Sequence, residues 1–392
     1  MLLSARETAE LLGIKRDTLY AYVSRGLIHS VAVADSRERH YDAAEIERFR
    51  GGRKAEARAP ALMPVIPSAI CLIDDHRLYY RGHDALALAE SATLEEVAAI
   101  LWDAEPPTIP PHPEMRSARP LRASRVPGKD RGDGRAEVVE RCQVRLAELA
   151  AADLGALDLT RAGVVRTATR LLGELAGCVG GGAAARPTHA ALGAAWGLDA
   201  AGADLVRRCL VLLADHELNA STFVARCIAS TGATPYAVVA GALAALSGRH
   251  HGGAAARVEA LCREIAAGGD PLATMAARLA RDETLPGLGQ PLYPEGDPRA
   301  AAILAAAKRA VPERAQWIER VTDAAVRLGG APPNVDFGLG LAATVLGLPP
   351  GAALGLFLVA RSVGWIAHAI EQYESGVLIR PRARYTGNRP HS

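Results

Sequence analysis

The chain has 392 residues, a formal net charge of +2, 49% hydrophobic residues and 4% aromatic ones. That length predicts two or three domains with ample buried core, and that hydrophobic share excludes wholesale disorder. The near-neutral balance excludes a global basic field, so any nucleic-acid binding has to be local, and the Ala- and Leu-rich, aromatic-poor chain argues against an all-β protein and for helices.

Residues 1–50 read as a compact unit. Ser4 stands three residues before Glu7, the spacing of a capping box, and Ala9, Leu11 and Leu12 supply the apolar face of a first helix that Gly13 ends. A second helix is predicted over about 16–24, with Leu19, Tyr20 and Val23 at helical spacing and Gly26 closing it. A polar segment with Arg37 and Arg39, then Tyr41, precedes a third helix over 43–50. Two short helices joined by a tight Gly turn make a helix-turn-helix. The run SARETAELLGIKRDTLYAYVSRGLI, followed by RERHYDAAEIERF, resembles the winged helix-turn-helix of the MerR and excisionase type. The resemblance implies that the second helix offers Arg16, Thr18 and Tyr20 to the major groove of double-stranded DNA, and that the wing offers Arg37 and Arg39 to phosphates. Against this, residues 1–60 hold 11 basic and 9 acidic residues, so a protein-docking role stays open.

Residues 51–66 are rich in Gly, Pro and charge and read as a linker. A Pro-rich stretch over about 105–134 reads as a long surface loop. From Ala136 onward one helical pattern follows another, with no convincing alternating strand. The six cysteines form no C-x-x-C pair and no zinc-ligand spacing, and reduced core thiols are expected. Arg6 and Glu7 precede any long apolar run, so no signal peptide is expected. The most apolar stretch, 338–360, is split by Pro349-Pro350 into pieces shorter than the roughly 20 residues of a bilayer span. Two buried helices, at 338–348 and 351–372, are expected there, with no membrane partner, a cytoplasmic location and a share in a large dimer interface.

Four segments after the linker share an order: ICLIDDHRLYYRGHDALALAESATLEEVAAILW; LLADHELNASTFVARCIASTGATPYAVVAGALAALSGRHHGGA; LPGLGQPLYPEGDPRA; and NVDFGLG, followed by ARSVGWIAHAIEQ and LIRPRARYTG. In this order they resemble the citrate synthase family over roughly residues 67–390. The resemblance implies an all-α fold with a large domain (67–251 and 341–392) and a small one (252–340), working as a homodimer behind the helix-turn-helix domain. It implies a Claisen-type condensation of acetyl-CoA or propionyl-CoA with oxaloacetate, CoA serving as co-substrate and no cofactor being held.

That chemistry needs a carboxylate to take a weakly acidic α-proton and a donor for the enolate oxygen. By resemblance Asp336 is the base, and His251, followed by Gly252 and Gly253, donates to the thioester carbonyl. A dianionic acceptor calls for planar bidentate donors. Arg299, Arg361 and Arg380 match the family's three substrate arginines, with Arg380 reaching the partner subunit's site, and His216 matches the histidine that contacts the oxo acid. Pro286, Gly287, Leu288 and Gly289 match the loop whose backbone meets the CoA adenine. One position departs: where the family reads Pro-Gly-x-Gly-His, this chain has Gln290. An amide still donates a hydrogen bond but delivers no proton, and general-acid help is worth about 10²- to 10⁴-fold, so Gln290 predicts a slowed enzyme. A second reading is a DNA-binding regulator whose synthase-like body senses oxaloacetate or acyl-CoA. His250-His251 lacks a thiolate or carboxylate partner at ligand spacing, so no metal is expected.

Overall fold

The computed structural model describes residues 2–12, 19, 23, 28, 30–32, 39–43, 46, 66–106, 135–181, 187–383 and 385–387. Arg16, Thr18, Tyr20 and Arg37, most of the second and third predicted helices, nearly all of the linker and most of the Pro-rich loop lie outside these residues. The chain divides into two compact units, Met1–Pro67 and Ser68–Ser392.

In the first unit, β1 (Leu2–Ser4) leads directly into α1 (Ala5–Leu12). The capping box forms as the spacing predicts: Ser4 N–H donates to the Glu7 carboxylate at 2.8 Å, and Glu7 N–H donates to Ser4 Oγ at 3.3 Å. The polar segment pairs as β2 (Ser30–Ala32) with β3 (Arg39–Asp42), antiparallel, and β1 adds to the far edge of β3. This sheet stands where the wing is expected, with a third strand that residues 2–4 do not advertise. Ala9, Leu19, Ile28, Tyr41 and Ile46 form its small core. Arg39 is exposed at the start of β3 and donates to Ser30 Oγ at 3.0 Å.

The second unit opens with a small antiparallel sheet: β4 (Cys71–Asp74), β5 (Arg77–Tyr80) and β6 (His83–Asp84). Its first turn is Asp75-His76, both at positive φ (44° and 60°), the twist that suits a two-residue hairpin. Helices follow without further strands among the described residues: α2 (Ala85–Ser91), α3 (Leu94–Trp102), α4 (Arg135–Ala152), α5 (Arg161–Gly180), α6 (Thr188–Ala195) and α7 (Ala200–Leu213). Then come α8 (Ala220–Ala229), α9 (Pro235–Leu246), α10 (Gly253–Ala266), α11 (Pro271–Leu279) and α12 (Pro298–Ala310). The last three are α13 (Ala315–Gly329), α14 (Val335–Val345) and α15 (Ala352–Ser375). The class is all-α, as the composition and the resemblance predict.

Helix α15 is the spine of this unit. It packs against α3, α4, α5, α7, α8, α9 and α10, and twenty of its 24 residues are buried. It is long and apolar enough to cross a bilayer, but that surface is spent inside the bundle. Helix α14 is nearly as enclosed. This corrects one expectation: α14 and α15 do not present apolar faces to a second copy, because the chain's own helices already cover them. Among the described residues the most exposed large apolar side chains lie elsewhere, at Leu154 and Leu157 and in the tail at Val377, Leu378 and Tyr385.

Candidate active site

Five of the candidate side chains converge where α7, α10, α12, α14 and α15 meet. Asp336 stands in the first turn of α14, Arg299 in the first turn of α12 and Arg361 in mid-α15. His216 follows α7, and His251 lies just before α10.

Asn334 sets the start of α14. Its Oδ1 accepts the Asp336 and Phe337 N–H groups at 3.0 and 3.4 Å, the N-cap arrangement. Its Nδ2 donates to Gly289 O at 3.0 Å, and its backbone N–H donates to Gly287 O at 2.9 Å. Gly289 N–H in turn donates to Pro332 O at 2.8 Å. The Pro286–Gly289 loop is thus stitched to the residues leading into Asp336. Gly287 sits at φ +79°, and a Cβ there would lie 2.6 Å from Val258 Cγ2 and 3.0 Å from Phe337 Cα, so the turn admits glycine for two reasons.

Asp336 Oδ1 is buried and forms no hydrogen bond. Burial pushes the carboxyl up to about 6, against the pull of Arg299 and Arg361; Asp297 adds to the rise. A carboxylate held near neutral pH, with one oxygen unengaged, can take a proton.

Arg299 is 2% exposed and paired through two of its three guanidinium nitrogens. Its Nε and Nη2 donate to the two oxygens of Asp297 at 3.0 and 2.7 Å. Asp297 Oδ2 also accepts the Val335 N–H at 3.0 Å, so one carboxylate ties the arginine to the helix start that carries Asp336. Burial works against the Arg299 charge, but Asp297 holds the guanidinium above its usual range. Arg361 differs. Its Nε donates to Leu213 O at 2.8 Å, its guanidinium lies 4.9 Å from the Phe357 ring centre, and Nη1 is buried without a hydrogen bond. Burial lowers its pKa, and the nearby Asp215 charge opposes the fall.

Both histidines are held neutral. Burial, then the charges of Arg299 and Arg361, push His216 well below its usual value. Burial, with help from Arg361, brings His251 down to about 4. His216 Nε2 lies 3.1 Å from Tyr293 Oη. His251 Nε2 lies 2.8 Å from Ser221 Oγ, which also receives the Trp365 indole N–H at 3.2 Å and lies 2.9 Å from Asn219 Oδ1.

Gln290 is half-buried in the loop between α11 and α12. Its Oε1 accepts the Leu292 N–H at 3.3 Å, and its carbonyl accepts the Tyr293 N–H at 2.9 Å. With Oε1 so engaged, its amide nitrogen is the group left to donate. Arg380 stands apart: it is exposed in the extended segment after α15, and among the described residues no hydrogen bond or ion pair joins it to the other five. The described residues hold no cluster of His, Cys, Asp and Glu fit for a metal. A surface cleft of about 620 Å³, lined by Arg81, His83, Ala99 and Asp103 among others, shares none of these side chains.

Sequence reasoning missed Asp297, Tyr293, Ser221 and Asn334. All four lie inside the quoted segments, so a signal existed: each is a polar residue within five positions of a residue the motifs mark. Their pairings across the fold were not visible.

A family model for the C-terminal domain of citrate synthase matches residues 184–382, and a helix-turn-helix domain model matches residues 2–54. Citrate synthase 2 of Bacillus subtilis is 38% identical over 185 residues, 46% of this chain and 50% of that protein. The chain thus spans about half the length of the first curated relatives it matches. A 2-methylcitrate synthase of Mycobacterium tuberculosis is 30% identical over 355 residues, covering 84% of this chain and 88% of that one. The crystal structure of citrate synthase from Thermotoga maritima superposes with a TM-score of 0.62 and 26% identity, over 86% of this chain and 97% of that chain. Fold, motif order and similarity over 84% of the chain agree: the chain belongs to the citrate synthase family.

Proposed function

We propose that this protein condenses an acyl-CoA, acetyl or propionyl, with oxaloacetate to give citrate or 2-methylcitrate and free CoA. The observation that carries the reading is Asp336: a carboxylate with a buried, unengaged oxygen, raised to about 6, beside two buried arginines. Asp336 takes the α-proton of the thioester. His251 donates to the thioester carbonyl from Nδ1 when the Ser221 hydroxyl turns its proton to Nε2, and so stabilises the enolate oxygen. The enolate carbon attacks the ketone of oxaloacetate, whose carboxylates are held by Arg299, Arg361 and His216. Gln290 donates a hydrogen bond from its amide to the ketone oxygen as charge collects there, the alkoxide takes its proton from water, and a further water cleaves the thioester, leaving the carboxylate and free CoA thiol. Pro286–Gly289, tied to the Asp336 helix through Asn334, lies against the CoA.

A dimer completes the site, with Arg380 of each copy reaching the other. Its exposure and its separation from its own chain's cluster support this, and the exposed tail residues Val377 and Leu378 supply contact surface. The N-terminal module docks on duplex DNA; its helix-turn-helix match and the exposed Arg39 on the wing support that part. A purely regulatory body is not favoured, because the base, the thioester histidine and two anion-binding arginines stand assembled.

Release of thiol from acetyl-CoA or propionyl-CoA in the presence of oxaloacetate is the test. No turnover at high enzyme concentration with either donor sinks the reading. Gln290→His is expected to raise turnover at least tenfold; an unchanged rate refutes the idea that glutamine limits it. On the DNA side, Arg39→Ala is expected to weaken binding and flatten its salt dependence, and an unchanged salt slope refutes docking through the wing.

A further inference from the structure

Tyr293 lies at the crossing of three groups the proposed reaction uses. Its side chain is fully buried. Its hydroxyl is 3.1 Å from His216 Nε2, its ring centre is 5.6 Å from the Arg299 guanidinium carbon, and its backbone N–H donates to the Gln290 carbonyl at 2.9 Å. Burial raises the phenol to about 12, so it keeps its proton. His216 is held neutral, so only one of its ring nitrogens carries hydrogen.

We propose that Tyr293 is a positioning residue that donates its phenol proton to His216 Nε2 and thereby fixes the hydrogen of His216 on Nδ1, as a donor to the oxo acid. Two arrangements satisfy a 3.1 Å contact between a phenol and a neutral imidazole. If Nε2 carries the hydrogen and donates, the phenol proton needs a second acceptor, and the described residues offer Tyr293 Oη no other hydrogen bond. A buried donor without an acceptor is costly. If the phenol donates, its sealed proton has an acceptor, and the ring's own hydrogen falls on Nδ1, which has no protein partner among the described residues and is not sealed from solvent, so Nδ1–H is the single donor the ring presents to a ligand. Arg299 and Arg361, both buried and close enough for their charges to act on His216, draw an anion to its surroundings. The ring of Tyr293 meanwhile lies against Arg299, so one side chain orients two anion-binding groups, and its N–H couples both to the Gln290 loop.

The substrate half of this inference rests on the proposed oxaloacetate site; the tautomer does not. Nitrogen-15 histidine spectra of the ligand-free wild-type protein, with His216 assigned from a His216→Asn sample, read the tautomer directly. Hydrogen on Nδ1 is the expected result, and hydrogen on Nε2 overturns the proposal. Tyr293→Phe keeps the ring against Arg299 and removes only the hydroxyl. Calorimetry is expected to show oxaloacetate binding weakened about tenfold, with the KM for acyl-CoA within twofold and the His216 signal no longer that of a single Nδ1–H form. Binding within twofold of wild type, or an unchanged His216 signal, overturns it. A wild-type protein with Nδ1–H that does not bind oxaloacetate overturns the proposed substrate and with it the role given to that donor.

Discussion

At the corner where α12 meets α14, Asp297 takes two nitrogens of Arg299 and the Val335 N–H. At the corner where α7 meets α15, Arg361 Nη1, both oxygens of Asp215 and His368 Nε2 are buried without a formed hydrogen bond; His368 Nε2 and Asp215 Oδ2 stand 3.4 Å apart. Gly364 presses on this second corner so closely that a Cβ there would lie 2.3 Å from Asp215 Oδ2. The two corners hold one arginine each, with opposite consequences. Arg299 is neutralised and oriented before any ligand arrives, so its corner fixes geometry. Arg361 is compensated mainly through space, so a ligand carboxylate can give its Nη1 the partner the protein does not. In the proposed reaction, binding energy for the anion therefore concentrates at Arg361, and Asp297 fixes the helix start that carries Asp336.

The largest expected effect is at the base of the settled corner. Asp336→Asn removes the proton acceptor and is expected to lower turnover by about 10²- to 10⁴-fold. The same change is expected to stabilise the fold at pH 7. The Asp336 carboxyl stands at about 6 in the folded protein, against an ordinary value of 3.8. The folded state therefore binds the proton more tightly, and stability falls as pH rises from about 4 to about 6. Above that window the full penalty is present; at pH 4 it has largely gone. A gain on the order of 2 kcal/mol at pH 7 that shrinks toward pH 4 is expected in thermal melts. In the wild type, kcat/KM is expected to fall on the acid side with a midpoint near 6. A variant no more stable at pH 7 than at pH 4, or an acid limb near 4, denies that Asp336 is held back by burial.

The next effect separates the two arginines. Arg299→Gln leaves Asp297 buried without its charge partner, and breaking such a pair costs about 3–5 kcal/mol. Arg361→Gln removes a guanidinium that is already incompletely bonded, so the ligand-free protein is expected to lose less than half as much. The thermal shift induced by oxaloacetate, by contrast, is expected to vanish in Arg361→Gln. Equal losses of stability, or an oxaloacetate shift that survives in Arg361→Gln, erase the distinction between the corners.

The sequence carried the charged groups and left their partners silent. Asp336, Arg299, Arg361, His216 and His251 are legible because each sits in a run of several motif residues, and runs are what a linear reading detects. Asp297 sits two residues before Arg299 in the same run, yet it also accepts a bond from Val335, 38 positions on. Tyr293 meets His216 across 77 positions, and Ser221 meets His251 across 30. Such pairings depend on how helices cross, which helical periodicity does not encode. The hairpin over 71–84 escaped because its strands are four residues or fewer and its turn, Asp75-His76, lacks the glycine that usually marks positive φ. The apolar stretches at 338–348 and 351–372 were legible as buried helices but not as to what buries them. Hydrophobicity is the same whether a neighbouring helix or a second copy covers it.

The smallest expected effect tests the stitch between the Pro286–Gly289 loop, proposed to lie against CoA, and the settled corner. Asn334 does two jobs with two atoms: Oδ1 caps α14, and Nδ2 donates to Gly289 O. Asn334→Ser keeps an oxygen that can cap the helix and removes the donor that reaches the loop. Ser and Asn are near-equal caps, so the melting free energy is expected to change by less than about 1 kcal/mol. The Asp336 carboxyl keeps its burial and its arginines, so the acid limb of kcat/KM stays where it is. The loop, held after the change by the Gly289–Pro332 and Asn334–Gly287 backbone bonds, samples more conformations. A KM for acyl-CoA raised a few-fold, with oxaloacetate binding and the acid limb unmoved, is the expected signature. If oxaloacetate affinity or the acid limb moves instead, Asn334 acts on the base and the arginines rather than on the loop, and the Pro286–Gly289 segment is not an independent part of the site.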